Sequence, residues 1–313
     1  MGSRASAGDR VSDLQAPTDQ PTRRPDGAGE GADGTEALLG LAVEAARMAG
    51  GMLLERARHG AEREVAAKST PTDLVSEADV ASQRAIRALL RERRPEDGFV
   101  GEEEGDSEHG SSGLRWIVDP LDGTVNFLFG IPQWSVSVAV ADDSGTLAGV
   151  VFDPNRDELF SAARERAAVV EGPHGVHELR HGGTGDPSHE RRTGEDAGPG
   201  GEDLASAMVA TGFSYEAGVR DAQAEVLQRL LPRVRDIRRF GSAALDLAWT
   251  AAGRYDAYYE RTVKQWDIAA GALVCERAGL QVRELSAREG LPWGILVAPP
   301  ELAQALMDLV EEP

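Results

Sequence analysis

The stretch Trp116-Ile117-Val118-Asp119-Pro120-Leu121-Asp122-Gly123-Thr124-Val125-Asn126-Phe127 carries an apolar run of strand type into two carboxylates three residues apart. Pro120 stiffens the bend between Asp119 and Asp122. Gly123 and Thr124 then open a short helical turn whose first backbone N–H groups have no partner within the turn. Taken alone, Asp-Pro and Asp-Gly are common loop dipeptides, and the two acids read as a turn and a helix cap. Carboxylates beside unpaired N–H donors are costly unless a cation lies between them. Hard oxygen ligands for divalent metals, with amide donors for phosphate oxygens, fit the pattern.

Two further stretches extend it. Upstream, Phe99-Val100-Gly101-Glu102-Glu103-Glu104-Gly105 is a strand that again ends in acids. Downstream, Trp266-Asp267-Ile268-Ala269-Ala270-Gly271 places an Asp at the mouth of a small-residue helix. In this order the three resemble the GEE, DPLDGTxNF and WDxAAG motifs of the inositol monophosphatase family, with the likeness running from about Lys68 to Gly279.

The resemblance implies a ligand set. Asp119 would bridge two metals, Glu102 and the backbone carbonyl of Leu121 would complete the first, and Asp122 and Asp267 the second. No His or Cys falls in these motifs, so all-oxygen ligation favours Mg²⁺, two or three ions, over Zn²⁺. Glu103 would support the first site from behind, whereas Glu104 reads as a solvent-facing neighbour. Ser76-Glu77-Ala78-Asp79 is a capping box, yet the family places a catalytic Asp at the position of Asp79, paired with the Thr at Thr124, to orient and deprotonate a water.

The family also implies a substrate side. Gly123 and Thr124 offer amides to a phosphate, Gly241, Ser242 and Ala243 line the sugar-alcohol pocket, and Glu260 accepts hydrogen bonds from a polyol hydroxyl unless it is merely a surface Glu at a strand end. Of 33 basic residues only Lys68 and Lys264 are lysines. Lys68 resembles the lysine of the family's N-terminal active-site segment, while Lys264 reads equally as function or chance. Arg261, Thr262 and Val263 after Glu260, and Gln265 before Trp266, depart from the family pattern and predict an altered substrate rim. Cys275 sits among Leu273, Val274 and Ala278 as a packing residue.

The chain has 313 residues, enough for one large domain or two ordinary ones. A net charge of −20 repels nucleic acid, and bound metals would reverse the local sign for an anionic substrate. Apolar runs such as Trp134 to Ala141 are too short to span a bilayer, the N-terminus lacks an apolar signal region, and one cysteine allows no internal disulfide. The expectation is a cytoplasmic protein without membrane or nucleic-acid partners; the resemblance adds a homodimer.

Residues 1–34 lack hydrophobic periodicity and are expected to form a disordered tail. Helices are predicted over Thr35–Arg58, capped by Thr35 and ended by Gly60, and over Ser76–Arg93 with Val80, Ile86, Leu89 and Leu90 inward. From Trp134 the period becomes two, and strands at 147–152 and 158–162 follow, so residues 35–173 form an antiparallel α+β half. Residues 174–203 read as a loop insertion, and 204–313 as an α/β half with elements at 207–211, 222–231, 236–240, 242–252, 257–259 and 266–278. The family's fold, a layered α-β-α-β-α sandwich, agrees with this division. The predicted activity is hydrolysis of an inositol monophosphate, with inhibition by Li⁺ implied by the resemblance. The alternatives are a histidinol-phosphate phosphatase, another small-monoester phosphatase acting on fructose bisphosphate or a nucleotide 3′-phosphate, and a non-catalytic interaction module. Val125 and the Phe127-Leu128-Phe129 run lean away from histidinol phosphate.

Overall fold

The computed structural model describes residues 30–59, 65–67, 74–103, 107–180 and 203–311. The first half runs α1 (Glu30–Arg58), β1 (Val65–Ala67), β2 (Leu74–Ser76), α2 (Glu77–Arg93), β3 (Gly98–Gly101), β4 (Ser107–Glu108), β5 (Arg115–Asp122), α3 (Thr124–Leu128), β6 (Ser135–Asp142), β7 (Gly145–Asp153), β8 (Glu158–Ala163), β9 (Val169–Gly172) and β10 (Gly175–Glu178). The second half runs β11 (Met208–Thr211), α4 (Ala217–Leu230), β12 (Asp236–Arg238), α5 (Ala243–Ala251), β13 (Ala257–Arg261), α6 (Gln265–Arg277), β14 (Gln281–Leu285), β15 (Gly294–Ala298) and α7 (Pro300–Glu311).

Besides the small β1–β2 pair there are two sheets. The larger has the order β10-β9-β8-β7-β6-β5-β3-β4 and is antiparallel except where β3 runs parallel to β5. The other, β12-β11-β13-β15-β14, joins three parallel strands to an antiparallel pair. Helices α1 and α2 cover one face of the first sheet, α5 and α6 lie between the sheets, and α4 and α7 cover the outer face of the second. This is the α-β-α-β-α sandwich.

The alternation of Val136, Val138 and Val140 with Ser135, Ser137 and Ala139 divides β6 between two layers, and both of its faces are buried. The valines pack with α1 and α2, while Ala139 and Ala141 pack against α5 and α6. Small residues on that second face let α6 settle close to the sheet.

Helix α1 begins at Glu30, ahead of the predicted Thr35 cap, although Gly31 and Gly34 each disfavour helix. The expected tail therefore loses its last residues to the helix, and residues 1–29 lie outside the described residues. Gly34–Arg58 is long and apolar enough to cross a membrane by length and composition alone. Its Leu41, Ala42, Ala45, Ala46, Ala49 and Leu53 pack in the core beneath β6 and β7, as a core helix does. Of the expected 174–203 loop, Gly175–Glu178 pairs with β9 as a hairpin strand, and 181–202 lie outside the described residues.

Candidate functional site

The acids meet where β3 and β5 end and the middle helices begin. Parallel pairing places Gly101 beside Val118, and the Glu102 N–H continues the ladder to the Val118 carbonyl at 3.2 Å. Glu102 therefore stands next to Asp119, within hydrogen-bonding reach of its carboxyl. Asp119 Oδ1 accepts the Leu121 N–H at 3.0 Å, which folds the Asp-Pro-Leu-Asp segment into a tight turn. Gly123 follows with φ 98°, a left-handed value that favours glycine, and starts α3.

Asp79 and Thr124 come together from 45 positions apart. The Thr124 hydroxyl donates to Asp79 Oδ1 at 2.7 Å and lies 3.1 Å from the Leu121 carbonyl. Asp79 is fully buried in the first turn of α2.

Asp122 and Asp267 sit on helix N-termini. Asp122 reaches across to α5, where it accepts the Ser242 hydroxyl at 2.5 Å, the Ala243 N–H at 3.1 Å and the Ala244 N–H at 2.8 Å; Ser135 donates to it at 3.3 Å. Asp267 caps its own helix, accepting the Lys264 N–H at 2.7 Å. Lys264 itself is exposed, which answers its open reading with a backbone role.

Burial, and then the Glu102, Asp122 and Asp267 charges, hold the Asp119 carboxyl well above the usual carboxylate range. Burial and Glu102 do the same to Asp267, against the Lys264 N–H. Asp122 is pushed up to about 6 by burial, with its hydrogen bonds from Ser242 and Ala244 opposing. Such mutual repulsion is what a bound divalent cation would reverse, and the donors are all hard oxygens, so the set fits Mg²⁺ chemically. Among the described residues no three acid, His or Cys side chains yet close on one point. Asp122 and Asp267 each accept helix N–H groups, and a carboxylate with about four lone-pair sites can do so and still face a cation.

On the far side, Glu260 Oε2 accepts the Tyr258 hydroxyl at 2.8 Å, and burial pushes the Glu260 carboxyl up to about 7. Gly212 makes room for it, since a Cβ there would overlap the carboxylate. Gly241, at φ 84°, Ser242 and Ala243 form the turn into α5 that faces Asp122. After Glu260, Thr262 takes a left-handed φ of 71°. Arg261, on the next strand position, is buried on the opposite side and donates to the Ser286 and Pro292 carbonyls. Cys275 is buried and donates to the Leu247 carbonyl, as a packing residue. Lys68 and Glu104 lie outside the described residues.

Several residues of this region were not anticipated. Ser82 and Gln83 follow Asp79 on the inner face of α2, and Ser135 and Ser137 point from β6 into the middle layer. For Ser82 and Gln83 the signal was present, since they share the helical face of Ile86 and Leu90; Ser135 and Ser137 stand where the alternation of β6 already puts polar residues. Arg239 was also missed; its guanidinium lies 5.9 Å from the Phe213 ring centre, beside Gly241 and facing the charges of Glu260 and Asp246.

Comparison with known proteins places these residues in context. The family model described as "Inositol monophosphatase family" matches residues 35–312. A protein of Mycobacterium leprae named inositol-1-monophosphatase is 41% identical over 250 residues, covering 78% of this chain and 80% of that protein. One of Pasteurella multocida named Nus factor SuhB is 35% identical over 277 residues, covering 88% and 96%. Among solved structures, the extragenic suppressor protein suhB of Bartonella henselae superposes with a TM-score of 0.75 at 31% identity, covering 88% of this chain and 99% of that one.

Proposed function

The chain belongs to the inositol monophosphatase family, and on that premise we propose that it is a Mg²⁺-dependent phosphomonoesterase that hydrolyses an inositol monophosphate to inositol and phosphate. The observation that carries the reading is the buried Asp79–Thr124 hydrogen bond beside carboxylates from three distant segments. A fold kept only for packing has no use for such a group of buried acids.

Glu102, Asp119, the Leu121 carbonyl, Asp122 and Asp267 are the proposed metal ligands. Bound there, Mg²⁺ would lower the pKa of the attacking water and neutralise phosphate charge. Asp79 accepts the Thr124 proton, which leaves the Thr124 oxygen able to accept one from that water, so the pair aligns attack and passes the proton inward. Lys68 and Glu103 complete the proposed catalytic set. The Gly123 and Thr124 amides are assigned to the phosphate, and Gly241, Ser242, Ala243 and Glu260 to the polyol. Glu260, paired with Tyr258 on one oxygen, keeps its other oxygen for a substrate hydroxyl.

The buried Cys275 suits a reducing compartment, the cytoplasm. The exposed Phe129, Ile131 and Phe240 lie around Asn126, whose Nδ2 donates to the Gln133 and Phe240 carbonyls; they supply an apolar surface for a homodimer. The test of function is phosphate release from inositol 1-phosphate, histidinol phosphate, fructose 1,6-bisphosphate and 3′-phosphoadenosine 5′-phosphate, with and without Mg²⁺. Preference for histidinol phosphate, or release without Mg²⁺, would overturn the proposal. Relatives named Nus factor SuhB motivate a second reading, association with nucleic acid. The net charge of −20 opposes it. A gel-shift titration with RNA at physiological salt separates the two.

A further inference from the structure

Helix α2 turns three polar side chains into the protein on one face: Asp79, Ser82 and Gln83, all at most 3% exposed. A helix face buried against a sheet is ordinarily apolar, and each buried polar group is costly unless it is hydrogen-bonded. Each of these finds its partner in the acid-bearing loops. Asp79 accepts from Thr124, and the Ser82 hydroxyl donates to the Pro120 carbonyl at 2.9 Å.

Gln83 makes two bonds to one residue. Its Nε2 donates to the Glu103 carbonyl at 2.7 Å, and its Oε1 accepts the Glu103 N–H at 2.9 Å. Gly101 leaves the space this amide fills, since a Cβ there would overlap Gln83 Oε1 and Cδ. The Glu102 N–H is meanwhile bound to the carbonyl of Val118, the residue before Asp119. The peptide groups on both sides of the Glu102 Cα are thus held, one by strand β5 and the other by Gln83.

We propose that Gln83 is a positioning residue for metal binding: by clamping the Glu103 backbone, its side-chain amide sets the Glu102 carboxylate against Asp119. The proposal rests on the metal-site reading above. The residue type follows from the chemistry, because an amide supplies both the donor and the acceptor that one peptide backbone requires. A carboxylate there would face the Glu103 carbonyl with a second acceptor and add negative charge beside acids that already repel one another.

The test uses the full-length protein, stripped of metal, and titrates Mg²⁺ calorimetrically without substrate, alongside melting temperature and phosphate release. Gln83→Met removes both bonds at similar volume, and Gly101→Ala drives the amide out of its place without altering it. Ile86→Val weakens the same helix away from the loop and reports on general destabilisation. The expected result is a Mg²⁺ dissociation constant raised roughly tenfold or more in Gln83→Met and Gly101→Ala, with Ile86→Val within about twofold of wild type. An affinity in Gln83→Met equal to wild type, or shifted no further than in Ile86→Val, overturns the clamp whatever the melting temperature does. If Gln83→Met does not fold, Gly101→Ala decides by the same criterion. A wild-type protein that binds no Mg²⁺ overturns the metal-site reading and the clamp together. Normal Mg²⁺ binding without phosphate release leaves the clamp standing and removes only the phosphatase reading.

Discussion

Glu102 and Asp119 are held by a sheet, whereas Asp122 and Asp267 are held by helix ends. The first pair stands on neighbouring parallel strands, with the Glu102 N–H bonded into β5 and the Asp119 carboxyl tied into its own turn. Shifting either disturbs the pairing of β3 with β5, near the β4 edge of the eight-stranded sheet. The second pair caps α5 and α6 through N–H groups. A cap contributes about 0.5–2 kcal/mol, an amount a bound cation can offset. The first pair is thus anchored through strand pairing and the second through helix-end N–H groups; in the proposed metal site the first is the fixed end and the second the adjustable end.

The comparison is broken most severely at its fixed end. Asp119→Asn should retain less than about a tenth of wild-type kcat at saturating Mg²⁺, since one carboxylate is assigned to both metals and an amide cannot replace its charge. Folding should survive, because removing a buried acid that Glu102, Asp122 and Asp267 all repel relieves strain in the metal-free protein. Activity above that level sinks the bridging role.

The adjustable end is probed by a small monovalent cation. LiCl should give uncompetitive or mixed inhibition with inositol 1-phosphate at fixed Mg²⁺, and NaCl at equal ionic strength should not. Li⁺ is close to Mg²⁺ in size, so it can take the Asp122–Asp267 position while supplying too little charge for the leaving group. Equal effects of the two salts would count against an exchangeable second site.

Glu260, on the β13–β15 ladder and away from any helix cap, tests whether burial also tunes an acid. Its carboxyl is raised from 4.5 to about 7, burial first and Tyr258 opposing. A folded-state value above the unfolded one means the native protein binds the proton more tightly. Stability therefore falls as pH rises between those two values, and the loss is complete above the higher one. Glu260→Gln should stabilise the metal-free protein by on the order of 2 kcal/mol at pH 8 and change little at pH 4, read from urea melts. The same difference at both pH values would refute the burial account.

The smallest effect concerns the cap itself. Ser242→Ala removes one donor to Asp122 and should cost about 1 kcal/mol of stability. If the adjustable picture holds, it should also tighten Mg²⁺ binding slightly in a calorimetric titration. Weaker Mg²⁺ binding would mean that Ser242 orients Asp122 for the metal and does not compete with it.

Much of the site could be read from the chain because its acids follow strand ends in short motifs: Glu102 after Phe99-Val100-Gly101, and Asp119 after Trp116-Ile117-Val118. Asp79 was ambiguous for a physical reason, since the same side chain that suits a capping box suits a buried catalytic pair, and only the position of Thr124 separates them. The late elements β14, β15 and α7 passed unassigned. Gln281–Leu285 mixes polar and apolar residues without clear alternation, and its pairing with Gly294–Ala298 is a tertiary fact. Ser82 and Gln83 share the inward face of α2 with Ile86 and Leu90, but the acid-bearing loops they meet there are a tertiary fact.

By itself the amino-acid sequence determined the acids, their motif order, the helical and strand periods, and with them the family and the layered fold. Those are local properties, set by spacing along the chain and by side-chain chemistry. Which oxygen meets which N–H was decided only by the tertiary structure. The turn of Asp122 onto α5, the burial of both faces of β6, the bonds of Arg261 to the Ser286 and Pro292 carbonyls and the grip of Gln83 on Glu103 each depend on a partner 20 or more residues away. Such contacts follow from how layers stack, and no periodicity along the chain records that.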